Sequence, residues 1–152
     1  MTVVKEIAHY LEQLAPLAYQ ESYDNAGLIV GNPQTDVTGV LLTLDSTEAV
    51  VDEAIAKGCN LIVAHHPIVF KGLKKLNGRN YVERTIIKAI KNDIAIYAIH
   101  TNLDHVMGGV NSMIAERLQL QNVRILAPKS DTLLKLVSFV PAEFTQAVLD
   151  AL

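Results

Sequence analysis

Hydrophobic and polar positions along this chain follow two periods, which predict helices and strands in alternation. Apolar residues recur at helical spacing from Val3 to Leu14, so the chain is expected to begin with an amphipathic helix that has Thr2 as its N-cap. Short apolar runs of strand length follow, separated by turn residues and by further helical patterns. These runs lie at residues 28–31, 40–44, 61–64 and 94–99.

Residues 40–64 predict a strand, a helix and a second strand. Asp45 and Glu48 fit a capping box that opens this helix, and Gly58 suits its end. A second helical pattern at residues 82–90 leads into the run at 94–99, which makes another strand–helix–strand unit. Two such units imply parallel strands joined by right-handed crossovers, so the sequence predicts an α/β protein with a parallel sheet.

The last part of the chain predicts strands at residues 123–126 and 133–140, followed by a helix with Pro141 in its first turn. A change of composition at 128–131 is the best candidate for a domain boundary. The sequence then stops on the apolar residue Leu152, with neither a glycine nor a cap after the helical pattern. Such an end fits either a terminal helix or a break within a longer chain.

Composition limits the function classes. Half of the 152 residues are apolar and 19% are charged, which suits one domain with a well-buried core. The net charge of −3 provides no basic field to hold nucleic acid or an anionic membrane, and no apolar run approaches the roughly 18–20 residues of a membrane span. The single cysteine excludes a disulfide framework within the chain. We expect a cytoplasmic protein.

Four of the five histidines lie just after two of the buried runs. His65 and His66 follow the run at 61–64, and a second pair follows the run at 94–99. Sites in parallel α/β sheets form beyond the carboxyl ends of the strands, so these side chains are expected to meet. Adjacent histidines that diverge suit a pair of metal ions, to which Asp104 would add an oxygen. Nitrogen and carboxylate donors fit zinc, manganese or iron better than calcium.

The remaining candidates differ in strength. His100 is open to three roles: metal ligand, hydrogen-bond partner of a ligand, or proton shuttle. His105 is expected at the surface and His9 in a structural role, and the predicted cap accounts for Asp45. Two ions need about eight ligands, so either His100, Asp24 and Glu21 contribute or ligands are missing from this chain. The loop at 68–80 carries three lysines that are expected to be solvated, or alternatively to contact an anionic substrate: Lys71, Lys74 and Lys75.

Five segments of the chain resemble the NIF-three-like family, whose bacterial members are often called GTP cyclohydrolase I type 2 homologues. The most specific are Ala-His-His-Pro at 64–67 and His-Thr-Asn-Leu-Asp at 100–104. The others lie at 22–31, 39–45 and 70–72, in the order and spacing of the family.

The resemblance implies a three-layer α/β/α fold and two divalent metal ions with His65, His66 and Asp104 as ligands. It also implies a homohexamer, and a His-x-x-x-Glu motif near the C-terminus that this sequence lacks. By the same resemblance, residues 1–130 are the N-terminal part of the metal-binding domain, and residues 131–152 are the truncated start of an inserted ferredoxin-like domain.

Motifs and resemblance together predict a metal-dependent hydrolase that acts on a nucleotide-like or other small substrate, with His100 as its candidate catalytic residue. The alternative is a non-catalytic, metal-binding scaffold or a regulatory protein that works through oligomerisation and partners. Loss of turnover in histidine variants would favour the enzyme, whereas partner binding that survives those substitutions would favour the scaffold.

Overall fold

A computed structural model describes residues 1–128 and 136–151 of the chain. The chain forms two compact units, Met1–Leu120 and Gln121–Leu152. The first unit begins with a helix and a 3-10 turn at Leu17–Tyr19, and then alternates strands and helices. Its helices are α1 (Val4–Leu14), α2 (Glu48–Lys57), α3 (Tyr81–Lys91), α4 (Thr101–Asp104) and α5 (Val110–Arg117), and its strands are β1 (Gly27–Val30), β2 (Val40–Thr43), β3 (Leu61–Ala64) and β4 (Ala95–Ala98).

The strands form one sheet in the order β1-β4-β3-β2. β2, β3 and β4 run parallel, whereas β1 is antiparallel to β4. The predicted strand–helix–strand units and the largely parallel sheet are therefore confirmed. Ala64 at the end of β3 lies opposite Ala98 at the end of β4. The segments that follow these two strands therefore leave the sheet at the same edge.

Helices cover both faces of the sheet, and this confirms the three-layer fold. Ile62 and Ile96 contact α2 and α3 on one face, while Leu61 and Tyr97 contact α1 on the other. Each of these side chains is at least 99% buried, because consecutive residues of a buried strand point to opposite covered faces. Burial of a large apolar side chain stabilises a fold by about 1.5–3 kcal/mol, so the two layers hold the sheet edge rigidly.

The cap of α2 differs from the prediction. Thr47 is the N-cap, and its hydroxyl accepts a hydrogen bond from the N–H of Val50 at 3.3 Å. Asp45 lies two residues too early to reach that group, so the predicted capping role of Asp45 is wrong. The predicted end of the helix is confirmed, since Gly58 has a left-handed φ of +68°.

Replacement of Thr47 with alanine should lower the free energy of unfolding by about 1 kcal/mol, because the N–H of Val50 loses its acceptor. Asp45→Ala is the matched control and should cost clearly less. Urea denaturation of both variants measures the difference. Equal losses would mean that both residues support the helix.

The residue that precedes α1 also differs from the prediction. Val3 rather than Thr2 precedes the helix, and the carboxylate of Glu6 accepts a hydrogen bond from the N–H of Val3 at 3.0 Å. Thr2 is held outside the helix because its carbonyl accepts a hydrogen bond from the N–H of Val37 at 2.8 Å.

The second unit contains a 3-10 turn at Ala142–Phe144 and α6 at Thr145–Ala151. Pro141 precedes the turn instead of opening an α-helix. The strand predicted at 123–126 is wrong, because these exposed residues have no strand partner among those that the structure describes. Of the strand predicted at 133–140, residues 133–135 lie outside the described part and 136–140 are not in a strand. No described helix has the length and hydropathy to cross a bilayer.

Candidate metal centre

His65 and His66 lie where the chain bends after β3. Their backbone N–H groups continue the pairing of β3 with β2, because they donate hydrogen bonds to the carbonyls of Thr43 at 3.1 Å and Leu44 at 2.9 Å. The bend keeps the two rings on one side, although residues of a regular strand alternate. The ring centroids are 4.9 Å apart and the rings are tilted by 52°. Pro67 follows directly after the bend.

His100 brings a third imidazole to the same place from the end of β4. Its ring centroid lies 5.2 Å from that of His65 and 5.5 Å from that of His66. One potential ligand atom from each of these three residues lies within 4.8 Å of the other two. The backbone N–H of His100 donates to Asn102 at 2.9 Å, and the fully buried Asn102 in turn donates to the carbonyl of Ala15 at 2.7 Å. The third histidine is therefore tied to the core.

The Nδ1 atoms of His65 and His66 both contact oxygen acceptors. The carbonyl of Ile99 lies 2.9 Å from Nδ1 of His65, and a carbonyl oxygen can only accept. The carboxylate of Asp45 lies 2.8 Å from Nδ1 of His66. Both Nδ1 atoms are thus assigned as donors, so each neutral ring keeps the lone pair on Nε2. Metal-binding histidines typically have this arrangement, which fixes both ring orientation and tautomer.

His100 has the same arrangement, with Asp24 as its acceptor at 2.9 Å. The Asp24 side chain is completely buried and also accepts hydrogen bonds from the N–H and hydroxyl of Thr101 and from the N–H of Asn25. Burial opposes ionisation of this carboxyl, but the hydrogen bonds from Thr101, His100 and Asn25 outweigh it and hold its pKa below the ordinary value. Asp24 therefore presents a fixed negative charge to His100.

Asp104 lies at the end of α4 and faces the cluster. Its Oδ1 atom is 4.0 Å from Nε2 of His65, and its side chain is 31% exposed. The sheet edge thus assembles all four predicted site residues: His65, His66, His100 and Asp104. Three imidazoles and a carboxylate are a donor set that fits a divalent first-row metal such as zinc, manganese or iron.

Other candidates from the sequence lie outside this cluster. Glu21 contacts His105 instead, with 3.4 Å between the carboxylate and Nε2, and the exposed His105 also contacts the carbonyl of Tyr19. His9 is exposed on α1 and contacts Gln13. Sequence reasoning named Asp24 as a possible metal ligand and Asp45 as a helix cap, but it did not predict that they hold histidines, because each is more than 20 positions from its partner.

Comparisons with known proteins show the family to which this chain belongs. The model of the Duf34/NIF3 (NGG1p interacting factor 3) family matches residues 2–151. The chain is 44% identical to the GTP cyclohydrolase 1 type 2 homolog of Bacillus subtilis (strain 168) over 149 residues, which are 97% of this chain and 40% of that protein. It is 42% identical to the protein of the same name from Halalkalibacterium halodurans over 147 residues, 96% of this chain and 40% of that one.

Two solved structures share the fold. A Bacillus cereus protein related to NIF3 has a TM-score of 0.79 and 46% identity, over 84% of this chain and 35% of that one. Reduced HcgD from Methanocaldococcus jannaschii has a TM-score of 0.76 and 30% identity, over 86% of this chain and 51% of that one. The chain spans about 40% of the length of the curated relatives that it matches. It belongs to the Duf34/NIF3 family, as its motifs implied.

Proposed function

We propose that this chain carries the centre of a metal-dependent hydrolase and that His65, His66, His100 and Asp104 hold its metal. One observation supports the proposal above all others. Three histidines have Nδ1 bound to an oxygen acceptor, and their ligand atoms cluster within 4.8 Å. Histidines at a protein surface seldom share both features, whereas a coordinated metal requires both.

The number and kind of metal follow from the donors. His65 and His66 are consecutive, and their rings are tilted by 52°, an arrangement that suits one ion on each ring. Asp104, beside His65, would supply a carboxylate oxygen. We therefore propose two divalent ions, chosen from zinc, manganese and iron because imidazole and carboxylate suit these metals.

The protein's own groups would organise the reaction. When bound, a divalent metal supplies Lewis-acid chemistry, which polarises a substrate oxygen and lowers the pKa of water to about 7. Asp45 and Asp24 hold the rings of His66 and His100 in position, so these rings need no rearrangement. If His100 is not a ligand, its Nε2 is the atom that would accept a proton from the nucleophile. The relatives' name, GTP cyclohydrolase 1 type 2 homolog, suggests a nucleotide or another small molecule as substrate.

Turnover assays test the proposal directly. Metal-loaded protein is incubated with a panel of purine and pyrimidine nucleotides, alongside His65→Ala and His66→Ala. We expect hydrolysis by the parent protein and its loss in both variants. Unchanged turnover in the variants would contradict the assignment of these histidines to the reaction.

Asp45→Asn should weaken metal binding by about 10-fold to 100-fold, because the amide no longer provides the charge that orients His66. Asp52→Asn is a matched control. Its side chain is 59% exposed, against 61% for Asp45, but it pairs with Lys88. Calorimetric titration with zinc measures both affinities. Equal affinities in the two variants would show that Asp45 does not support the centre.

A second candidate function is a metal-bearing scaffold that works through partners or self-association, including a homohexamer. The edge strand β2 favours it, because Leu42 is 75% exposed and Leu44, just beyond the strand, is 59% exposed. Exposed apolar residues along a sheet edge are typical of interaction surfaces. Association measured by analytical ultracentrifugation, retained in His66→Ala and accompanied by no turnover, would favour the scaffold over the enzyme.

A further inference from the structure

A cleft of about 660 Å³ lies beside the histidine cluster, and His66 forms part of its wall. Much of the remaining wall is apolar, including Pro67 and Phe70. Phe70 also contacts His100, with 5.6 Å between the ring centroids in an edge-to-face arrangement. The cleft therefore opens directly onto the candidate metal centre, and a molecule bound in it would lie next to His66.

Two helices begin at this cleft. The residues that precede α2, Asp45 to Thr47, line one side, and Asn80 to Val82, at the start of α3, line another. α2 and α3 contain 10 and 11 residues, long enough for full helix termini. The first N–H groups of a helix have no partner within it and carry a partial positive charge, so they attract anions.

Ser46 provides an independent indication of a ligand at the same place. It lines the cleft immediately before the N-cap of α2 and is only 3% exposed. Its hydroxyl has no hydrogen-bond partner among the residues that the structure describes. Buried hydroxyl groups are normally paired, so the unpaired hydroxyl of Ser46 indicates a partner that the described residues do not supply.

The charges in the wall also favour an anion. Lys71 lines the cleft and forms no ion pair with any residue in 1–128 or 136–151. Asp45, the acidic residue of the wall, is already paired with His66 at 2.8 Å. The cleft thus presents an ammonium group that has no ion pair among the described residues, and its carboxylate accepts a hydrogen bond from His66.

We propose that this cleft binds a phosphate group of the substrate, between the start of α2, the start of α3 and Lys71. A tetrahedral oxyanion can accept hydrogen bonds from several directions at once, and donors approach this cleft from two helices, a lysine and a serine. The apolar wall around Phe70 then contacts the rest of the molecule and directs it towards His66. Phosphate binding in the cleft does not depend on the proposed function. Only the hydrolysis of the bound molecule rests on it.

Inorganic phosphate is the probe for this site. Titration of the metal-free protein, followed by backbone amide NMR, should shift the amide signals of Glu48, Ala49 and Val82. Lys71→Ala should weaken binding about tenfold, as expected for loss of a charged hydrogen bond, whereas Lys71→Arg should stay within about threefold. Lys74→Ala is the matched control, because Lys74 is exposed in the same loop but lines a different cleft.

The Ser46→Ala variant distinguishes an effect on phosphate binding from an effect on folding stability. The hydroxyl has no partner in the described structure, so its removal should leave the unfolding midpoint unchanged or raised. Phosphate binding should nevertheless weaken by about threefold to tenfold, the typical value of one hydrogen bond. A lower midpoint with unchanged phosphate affinity would show that the hydroxyl serves the fold and not a ligand.

Several results would overturn the proposal. Equal phosphate affinity in the parent protein and Lys71→Ala would do so, as would loss of binding in Lys74→Ala alone. Binding that requires added zinc would place phosphate on the metal instead of in the cleft. Zinc titration of the parent protein separates the two proposals. If zinc binds and phosphate does not, only the phosphate-site proposal is contradicted. If phosphate binds and zinc does not, only the metal-centre proposal is contradicted.

Discussion

Zinc binding should weaken by about a hundredfold to a thousandfold when His66 is replaced with alanine. Tetrahedral zinc sites in small domains bind with about 10–16 kcal/mol in total, so each of four ligands accounts for about 2.5–4 kcal/mol. His66 is the residue to test, because its Nδ1 is held by Asp45 and its ring adjoins both other imidazoles. Isothermal titration calorimetry with zinc measures the loss.

His9→Ala is the control for this experiment. His9 is exposed on α1 and contacts only Gln13 among the described residues, so its loss should leave the affinity unchanged. The His66 side chain is 41% exposed, and its truncation removes little from the core. Circular dichroism should therefore show the same fold in both variants. Equal zinc affinity in the two would contradict the assignment of His66 as a ligand.

Asp24→Ala should destabilise the protein by about 3 kcal/mol, the largest stability effect that we expect near the site. Its fully buried carboxylate accepts hydrogen bonds from His100, Thr101 and Asn25. Removal of one partner from a buried charged network leaves the others desolvated and unpaired. Urea denaturation gives the free energy of unfolding.

The matched comparison is again with Asp45. Both carboxylates bind the Nδ1 atom of a histidine, but Asp45 is 61% exposed while Asp24 is completely buried. Asp45→Ala should therefore cost no more than about 0.5 kcal/mol. Both substitutions should weaken zinc binding, because each leaves a histidine ring without the carboxylate that orients it. Similar losses of stability would mean that the Asp24 network contributes no more than a surface ion pair.

Local patterns predicted the central sheet and its helices well. β3 and β4 are short apolar runs, and α2 and α3 follow the expected order along the chain. Such runs are typical of parallel strands, because a parallel strand is buried on both faces. The direction of β1 was not predictable, since its pairing with β4 spans about 70 residues. The apolar residues at 123–126 resemble a strand in composition, but a strand also needs a neighbour, and none is described there.

The part of the candidate site that follows the ends of strands was predictable. His65, His66, His100 and Asp104 all follow β3 or β4, and parallel strands bring their carboxyl ends together. The supporting role of the two carboxylates was not predicted, for two physical reasons. In Asp-Ser-Thr-Glu at 45–48, both Asp45 and Thr47 can cap a helix, and only the backbone decides between them. Asp24 lies in a loop 76 residues before His100, and no local rule links the two.

Anomalous X-ray scattering tests the metal centre most directly. Crystals grown with zinc are measured above and below the zinc absorption edge, so that the difference locates the metal without reference to any activity. We predict two strong peaks, one about 2.0–2.1 Å from Nε2 of His66 and one at the same distance from Nε2 of His65, with His100 and Asp104 beside them. A crystal that shows no anomalous peak beside these residues, while zinc binds elsewhere or not at all, would contradict the account.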